Sequence, residues 1–258
     1  MKYFIIDTFT GKLFGGNPAG VCLLDNAVED TAMQQIAFEN NLSETAFIAP
    51  NNGGYDLRWF TPENEIDLCG HGTLASAYAI MNYTDTTANL VKFSTRSGVL
   101  SVKRSGNIYT LDFPSRKPVP CPVPKGLEEA LGAKVIETHM ATHLMTVLEN
   151  ETVLKTLTPD FSKLAQIKES VKFIVTAKSE NCDFVSRYFT PHSQSKEDPV
   201  TGAAHTTLIP FWHKRLGKTD MIAAQLSKRG GILYCRDGND RVEIGGEAVL
   251  YLSGEIRF

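Results

Sequence analysis

The chain has 258 residues, of which 42% are apolar, and its 26 basic and 29 acidic side chains leave a net charge of −3. This length suits one large domain or two smaller ones, and positive charge is nowhere concentrated, which argues against a nucleic-acid partner. The apolar runs are shorter than the roughly 20 residues that a membrane helix needs. The first residues, MKYFIIDTFTG, lack the pattern of a signal or transit peptide. We therefore expect a cytoplasmic protein that binds neither nucleic acid nor a membrane.

The first half of the chain reads as a β-rich block followed by two helices of different character. The block ends at LLDN (23–26), and Met33, Ile36 and Ala37 then recur at the steps of an amphipathic helix. Next come an apolar strand (ETAFIAP), a strand ending in RWFTP (58–62) and the glycine turn CGHGT. The segment TLASAYAIM has almost no polar face, which predicts an enclosed helix. The alternating segment from VKFST to YTLDF predicts a hairpin.

The second half repeats this order, which indicates a duplicated domain. RYFTP lies 129 residues after RWFTP, VLEN corresponds to LLDN, and SKRGGIL corresponds to STRSGVL. Phe161, Leu164 and Ile167 predict an amphipathic helix, and AAHTTLIPFW predicts a second enclosed helix that Pro210 kinks or ends. The halves are joined by FPSRKPVPCPVPKG (113–126), where five prolines in fourteen residues are typical of a linker.

Strands before and after an enclosed helix predict, in each copy, a sheet wrapped around a central helix. We therefore expect an α+β fold of two pseudo-symmetric domains, each an antiparallel β-barrel-like sheet around a central helix. The predicted domains are residues 1–115, with 248–258 possibly returning to them, and residues 122–247.

Two glycine turns lead into the enclosed helices and suggest an anion site. EIDLCGHGT and SKEDPVTGA align when Gly72 is matched with Gly202. The first N–H groups of a helix lack internal partners and carry partial positive charge, and glycine lets a ligand approach them closely. Because the turns occur in both halves, we expect them to bind a small carboxylate.

Cys69 and His71 are conspicuous, but their chemistry depends on partners elsewhere in the chain. A racemase that uses two cysteines would need its second thiol three residues before Gly202, where Pro199 stands. The five cysteines form no CxxC pair, and the six histidines show no HExxH or Cys–His zinc spacing, so we expect no metal. His71 is better suited to contact a substrate or carry a proton near neutral pH. Glu44, at the start of an apolar strand in NNLSETAFI, is a candidate general base.

These residues together resemble a known family. DTFTGKLFGGNPAGVCLL, NNLSETAFI, RWFTPENEIDLCGHGTLASA and KEDPVTGAAH are similar to motifs of the PhzF-like proteins, relatives of the phenazine biosynthesis isomerase, and the match covers essentially the whole chain. The resemblance implies the diaminopimelate epimerase-like fold, an active site between two domains, a homodimer, and an isomerase that needs no cofactor or metal.

The resemblance also assigns roles to particular residues. Glu44 of the LSETAF motif becomes the acid/base that moves a proton between carbons, His71 contacts the substrate, and Asp198 of the EDPVTG motif completes the catalytic set. The expected substrate-binding residues are Asn17, Cys69, Gly70, Gly72, Thr73, Thr201, Gly202 and Ala203. Ala203 stands where the family often has serine, so a hydroxyl contact of the phenazine enzyme is missing here.

Two alternatives to the isomerase stay open at this point. One is a racemase or epimerase that uses Glu44 and Cys69 on opposite faces of a carbon. The other is a non-catalytic protein that binds a small ligand in the same site.

Overall fold

The computed structural model describes all 258 residues, and the chain forms seventeen strands and six helices. The strands are β1 (Lys2–Thr8), β2 (Asn17–Leu23), β3 (Thr45–Asn51), β4 (Gly54–Phe60), β5 (Glu65–Ile66), β6 (Leu90–Thr95), β7 (Gly98–Ser105), β8 (Ile108–Pro114), β9 (Val119–Cys121), β10 (Glu137–Met140), β11 (Leu144–Val147), β12 (Phe173–Lys178), β13 (Phe184–Phe189), β14 (Asp220–Gln225), β15 (Gly231–Asp237), β16 (Arg241–Gly246) and β17 (Ala248–Glu255). The helices are α1 (Asp30–Asn40), α2 (Gly70–Tyr83), α3 (Leu127–Leu131), α4 (Glu151–Lys155), α5 (Phe161–Leu164) and α6 (Gly202–Leu216). None of these helices has both the length and the apolar character needed to cross a membrane.

The chain divides into two compact units. Unit 1 comprises Met1–Asp112 with Gly245–Phe258, and unit 2 comprises Phe113–Ile244. The domain boundaries expected from the sequence, 1–115 with 248–258 and 122–247, stay predictions.

Unit 1 contains a mixed sheet in the order β17–β1–β2–β3–β4–β6–β7–β8, with β5 paired to β4. Most neighbours are antiparallel, but β2–β3 and β4–β6 are parallel. Parallel neighbours need a crossover, and the crossovers here contain α1 and α2. The sequence pattern had suggested an antiparallel sheet. The sheet of unit 1 is mixed instead, because two of its neighbouring pairs are parallel.

Helix α2 lies in the interior of unit 1. It contacts β1, β2, β3, β6, β7 and β17. Nearly every residue from His71 to Met81 is buried, which matches the lack of a polar face in its sequence. The prediction of an enclosed helix is confirmed.

Unit 2 repeats the scheme with strand order β9–β10–β11–β12–β13–β14–β15. Parallel pairing again accompanies the crossovers, at β11–β12 and β13–β14. Helix α6 buries ten residues from Gly202 to Trp212, so the second enclosed helix is also confirmed.

Pro210 does not end α6, which continues to Leu216. A proline in a helix lacks the N–H that would bond the carbonyl four residues earlier. That carbonyl belongs to Thr206, and it accepts a hydrogen bond from the backbone N–H of Arg116 at 2.9 Å. The linker thus replaces the missing helical donor.

Of the two amphipathic helices predicted after LLDN and VLEN, the first is confirmed and the second is shorter than predicted. Helix α1 buries Met33, Ile36 and Ala37 as predicted. The second prediction, around Phe161 to Ile167, is wrong in length, because α5 ends at Leu164. Asp160 caps its start by accepting from the N–H groups of residues 162 and 163 at 3.0 and 3.1 Å.

The RxFTP repeat has the same side-chain arrangement in each unit. Arg58 bonds both carboxylate oxygens of Glu65 at 2.7 and 2.8 Å, and Arg187 bonds both of those of Glu197 at 2.7 and 2.9 Å. Each guanidinium also lies over the phenylalanine two residues later, 5.2 and 4.9 Å from the ring centre. Bidentate pairs of this kind fix geometry, so each arginine holds the chain that leads to its enclosed helix.

Candidate active site

The first turn of α2 is built around Cys69. This residue is the N-cap, with an extended backbone, and its Sγ accepts a hydrogen bond from the N–H of Gly72 at 3.3 Å. The Thr73 hydroxyl donates to the Cys69 carbonyl at 2.5 Å. N-caps satisfy helix amides that would otherwise lack a partner. The amide of Gly72 is therefore bonded to the thiol.

Gly72 has a packing role at this turn. A Cβ atom there would lie 2.9 Å from Cδ1 of Trp59 and 3.0 Å from Sγ of Cys69, which is too close for a side chain. Trp59 is almost fully buried. The indole of Trp59 thus explains the glycine, in addition to the ligand approach expected from the sequence.

His71 contacts both a thiol and a carboxylate. Its Nδ1 is 3.5 Å from Sγ of Cys69, and its Nε2 is 3.0 Å from Oε2 of Glu44. The side chain of His71 is 7% exposed and that of Glu44 is 18% exposed, so a ligand can reach the carboxylate more easily than the ring. The structure therefore brings together Glu44, Cys69 and His71.

The backbone around Glu44 is fixed by the strand order of unit 1. Glu44 directly precedes β3, and its carbonyl accepts a hydrogen bond from the N–H of Gly20 in β2 at 3.1 Å. Because β2 and β3 are parallel neighbours, this bond continues their ladder by one residue. The carboxylate is thus presented by the rigid end of a sheet.

Ser43 and Asn17 lie beside this group. The Ser43 hydroxyl is 3.5 Å from Nε2 of His71 and 3.4 Å from Oδ1 of Asn17. Asn17 is fully buried at the start of β2, where its carbonyl accepts from the Thr8 hydroxyl at 2.9 Å. Ser43 is exposed and was not singled out in the sequence. It offers a hydroxyl at the edge of the site.

The protonation states follow from burial and from neighbouring charge. Burial raises the pKa of the Cys69 thiol above its ordinary value, so the thiol stays protonated near neutral pH. Burial alone would lower the pKa of His71, but the negative charge of the adjacent Glu44 carboxylate raises it well above its ordinary value. The ring is therefore favoured as an imidazolium that can donate from both nitrogens.

These three side chains are also of the types that bind metal ions. One sulfur, one nitrogen and one oxygen lie within 4.8 Å of one another. The thiol and the carboxylate, however, face different nitrogens of the same ring. Each nitrogen of the ring therefore has a neighbour of its own, and only one of the two nitrogens can serve as a metal ligand in this group.

In unit 2, the structure groups Asp198, Thr201, Gly202 and Ala203 at the start of α6. Thr201 is the N-cap residue, but its side chain makes no capping bond, and its hydroxyl donates to Oδ2 of Asp198 at 2.5 Å. The first turn of α6 contains no acidic residue, and Ala203 is exposed. The two glycine turns are therefore not equivalent, because a side chain caps α2 and none caps α6.

Gln225, which was not singled out in the sequence, connects the residues of this second turn. It is fully buried at the end of β14. Its Oε1 accepts from the N–H of Thr201 at 2.9 Å, and its Nε2 donates to the Asp198 carbonyl at 2.8 Å and to the Thr201 hydroxyl at 3.1 Å. A buried glutamine with matched partners stabilises a fixed loop conformation.

Comparison with known proteins gives close matches over the whole chain. Residues 6–254 match the profile of the family described as phenazine biosynthesis-like protein. An uncharacterized isomerase of Pseudomonas aeruginosa is 47% identical, over 99% of this chain and 98% of that protein. A PhzF-family phenazine biosynthesis protein of Enterococcus faecalis is 46% identical in its crystal structure, with a TM-score of 0.98 over 100% of this chain and 99% of the other.

A more distant match extends the comparison of folds. The crystal structure of a probable proline racemase from Agrobacterium radiobacter K84 has a TM-score of 0.65, over 99% of this chain and 92% of the racemase. At 8% identity this likeness concerns the fold alone. The prediction of the α+β fold shared by epimerases and racemases is confirmed.

Proposed function

The chain belongs to the phenazine biosynthesis-like family, and from this premise we propose that it isomerises a small carboxylate by moving a carbon-bound proton with Glu44. An isomerase- or epimerase-like function agrees with the family and with the isomerase among its relatives. The observation that carries the finer proposal is the 3.0 Å contact between Oε2 of Glu44 and Nε2 of His71. The proposed reaction uses no cofactor and no metal.

In the proposed reaction, Glu44 acts first as a base and then as an acid. Its carboxylate takes a proton from a carbon of the substrate, which leaves the electron pair delocalised toward an adjacent unsaturated group. The resulting carboxylic acid returns the proton to another carbon on the same face. A positioned acid/base of this kind contributes about 10²- to 10⁴-fold to a rate.

His71 supplies the neighbouring positive charge. Its imidazolium places Nε2 3.0 Å from Oε2 of Glu44, and the opposite charges at this distance favour the ionised carboxylate before the proton is taken. It also stabilises negative charge as that charge develops on the substrate, and oriented donors in a site from which water is excluded can contribute several kcal/mol.

Within unit 2, we propose that the uncapped first turn of α6 binds a carboxylate. The amides of Gly202 and Ala203 precede the first helical hydrogen bond, and the helix is 15 residues long, so its N-terminus attracts an anion. Asp198 and Thr201 hold this turn in place through their hydroxyl–carboxylate bond. The expected homodimer and cytoplasmic location stay predictions.

The racemase alternative fits the distances less well. Two bases that act on opposite faces of one carbon each need to approach it to about 3–3.5 Å, which separates them by about 6–7 Å. The sulfur of Cys69 and a carboxylate oxygen of Glu44 lie within 4.8 Å of each other. A carbon atom does not fit between them.

Incubation in D2O tests the proposal against the binding-protein alternative. The protein is mixed with a panel of small carboxylic acids, including cyclic dihydroaromatic acids and α-hydroxy and α-amino acids, and deuterium at carbon is measured by NMR. We expect incorporation into at least one acid. Saturable binding of an acid, seen as a rise in melting temperature, with no incorporation into any acid would instead support the binding protein.

A further inference from the structure

Cys69 has been considered as a proton carrier or as a substrate contact, and its position suits neither role well. Its sulfur contacts Nδ1 of His71 at 3.5 Å, and the residue is 5% exposed. The proton carrier in the proposed function is Glu44, which is more exposed. The thiol therefore needs a different explanation.

The sulfur makes two contacts, and both restrict the same turn. It accepts from the N–H of Gly72 at 3.3 Å and lies 3.5 Å from Nδ1 of His71. These lengths suit hydrogen bonds that involve sulfur. Because the amide of Gly72 belongs to the helix backbone, the sulfur is fixed in place and can orient the ring next to it.

The orientation of the ring matters because a half-turn about its Cβ–Cγ axis exchanges nitrogen and carbon positions. With Nδ1 facing sulfur, Nε2 faces Glu44 at 3.0 Å. After a half-turn, carbon atoms would face both partners, and the Nδ1–sulfur hydrogen bond and the Nε2–carboxylate ion pair would be lost. The groups that face the ring nitrogens are Glu44, Ser43 and Cys69, and the thiol is the one placed at Nδ1.

We propose that Cys69 is a positioning residue, whose sulfur orients His71 so that its Nε2 lies against the Glu44 carboxylate. This inference rests on the proposed function for its kinetic consequence, but the orientation of the ring is a property of the free protein. Cys69 touches the substrate at no stage of the proposed reaction.

Two substitutions separate positioning from other roles. Cys69→Ala removes the partner of Nδ1, while Cys69→Ser keeps a group that accepts and donates hydrogen bonds. Cys235→Ala is the control for deletion of a buried thiol, because Cys235 lies in β15 of unit 2. The unfolding midpoint of each variant shows whether it folds. If Cys69→Ala does not fold, the measurements on Cys69→Ser decide the question.

The first readout is the ¹⁵N NMR spectrum of His71 in the free protein. In the wild type, Nδ1 should show the signal of a hydrogen-bonded nitrogen, and His71 should titrate above its ordinary range. Loss of the acceptor in Cys69→Ala destabilises the imidazolium, so the titration should move to lower pH. Cys69→Ser should stay close to the wild type, and Cys235→Ala should be unchanged.

The second readout is turnover of an acid that exchanges deuterium in the panel. Cys69→Ala should lower kcat by about 10- to 100-fold, as expected for a misplaced catalytic group, with KM changed by less than about twofold, and Cys69→Ser should restore most of kcat. A Cys69→Ala protein with the wild-type His71 spectrum and kcat would overturn the inference. So would a Cys69→Ser protein with the wild-type spectrum but no turnover, since that result would make the thiol itself a proton carrier. Absence of exchange by the wild type would count against the proposed function and leave the NMR test intact.

Discussion

Nε2 of His71 lies 3.0 Å from Oε2 of Glu44, although the two residues are 27 positions apart in the sequence. Glu44 is placed by the parallel pair β2–β3, and His71 by the first turn of the enclosed helix α2, which packs against both strands. The contact is therefore a product of the fold of unit 1. Changes that disturb the first turn of α2 should disturb the site even where they remove no polar group.

Gly72→Ala is the smallest such change. The new methyl group would lie 2.9 Å from Trp59 and 3.0 Å from the Cys69 sulfur, so one of these buried groups must move. We expect the free energy of unfolding to fall by about 1–3 kcal/mol, as for other overpacked sites, in urea titrations. Gly53→Ala is the control, because a Cβ atom there has no neighbour within 4 Å. Equal stability of the two variants would contradict the packing role of Gly72.

Gln225→Glu tests the network at the start of α6. The carboxylate can still accept from the Thr201 amide but cannot donate to the carbonyl of Asp198, which then loses a buried partner. We expect a loss of about 1–3 kcal/mol in the free energy of unfolding, the usual cost of an unsatisfied buried group. The matched control is Gln35→Glu on the exposed face of α1, which should be close to the wild type. Wild-type stability of Gln225→Glu would show that the network is dispensable.

His205 should make the protein less stable in acid. It is fully buried, its Nδ1 bonds the Thr201 carbonyl at 2.8 Å, and its Nε2 has no partner. Burial lowers the pKa of His205 from 6.5 to about 4. As pH falls from 6.5 toward 4, the unfolded chain therefore binds a proton at this histidine that the folded protein does not bind. The free energy of unfolding should fall by about 3 kcal/mol over that range.

The comparison variant for this prediction is His205→Asn, which keeps a donor near the Thr201 carbonyl and does not titrate. Unfolding is measured in urea at several pH values between 4 and 7. We expect the wild type to lose about 3 kcal/mol more than the variant over this range. Parallel curves for the two proteins would rule out this role of His205. His143, which also has a pKa lowered to about 4, titrates in both proteins and cancels from the difference.

Much of the fold could be predicted because its signals are local. The apolar character of α2 and α6 predicted their burial, and the two RxFTP motifs predicted a repeat that reappears as equivalent arginine–glutamate pairs. The helix predicted around Phe161 ends early because the chain tightens after Leu164, where the N–H groups of Gln166 and Ile167 bond carbonyls three residues back instead of four. The parallel strand pairs were missed, since alternation along a strand does not reveal the direction of its neighbour.

The candidate site could be predicted only in part. Glu44, His71 and Cys69 were recognised from motifs, but the contacts of the ring with the thiol and the carboxylate depend on side-chain directions that sequence does not contain. Gln225 ends an unremarkable strand, and its function follows from the approach of the Thr201 loop, which is a tertiary contact. Ser43 could have been found from its position next to Glu44. Trp59 lies within the RWFTP motif, and its contact with Gly72 appears only after folding.

The most direct test of the account is deuterium exchange by Glu44→Gln. The variant, the wild type and the control Glu39→Gln, an exposed glutamate on α1, are incubated in D2O with the carboxylate that the wild type exchanges. We predict that exchange falls by about 10²- to 10⁴-fold in Glu44→Gln, while the rise in melting temperature on adding the acid is retained and Glu39→Gln behaves as the wild type. Exchange by Glu44→Gln at the wild-type rate would contradict the assignment of Glu44 as the acid/base.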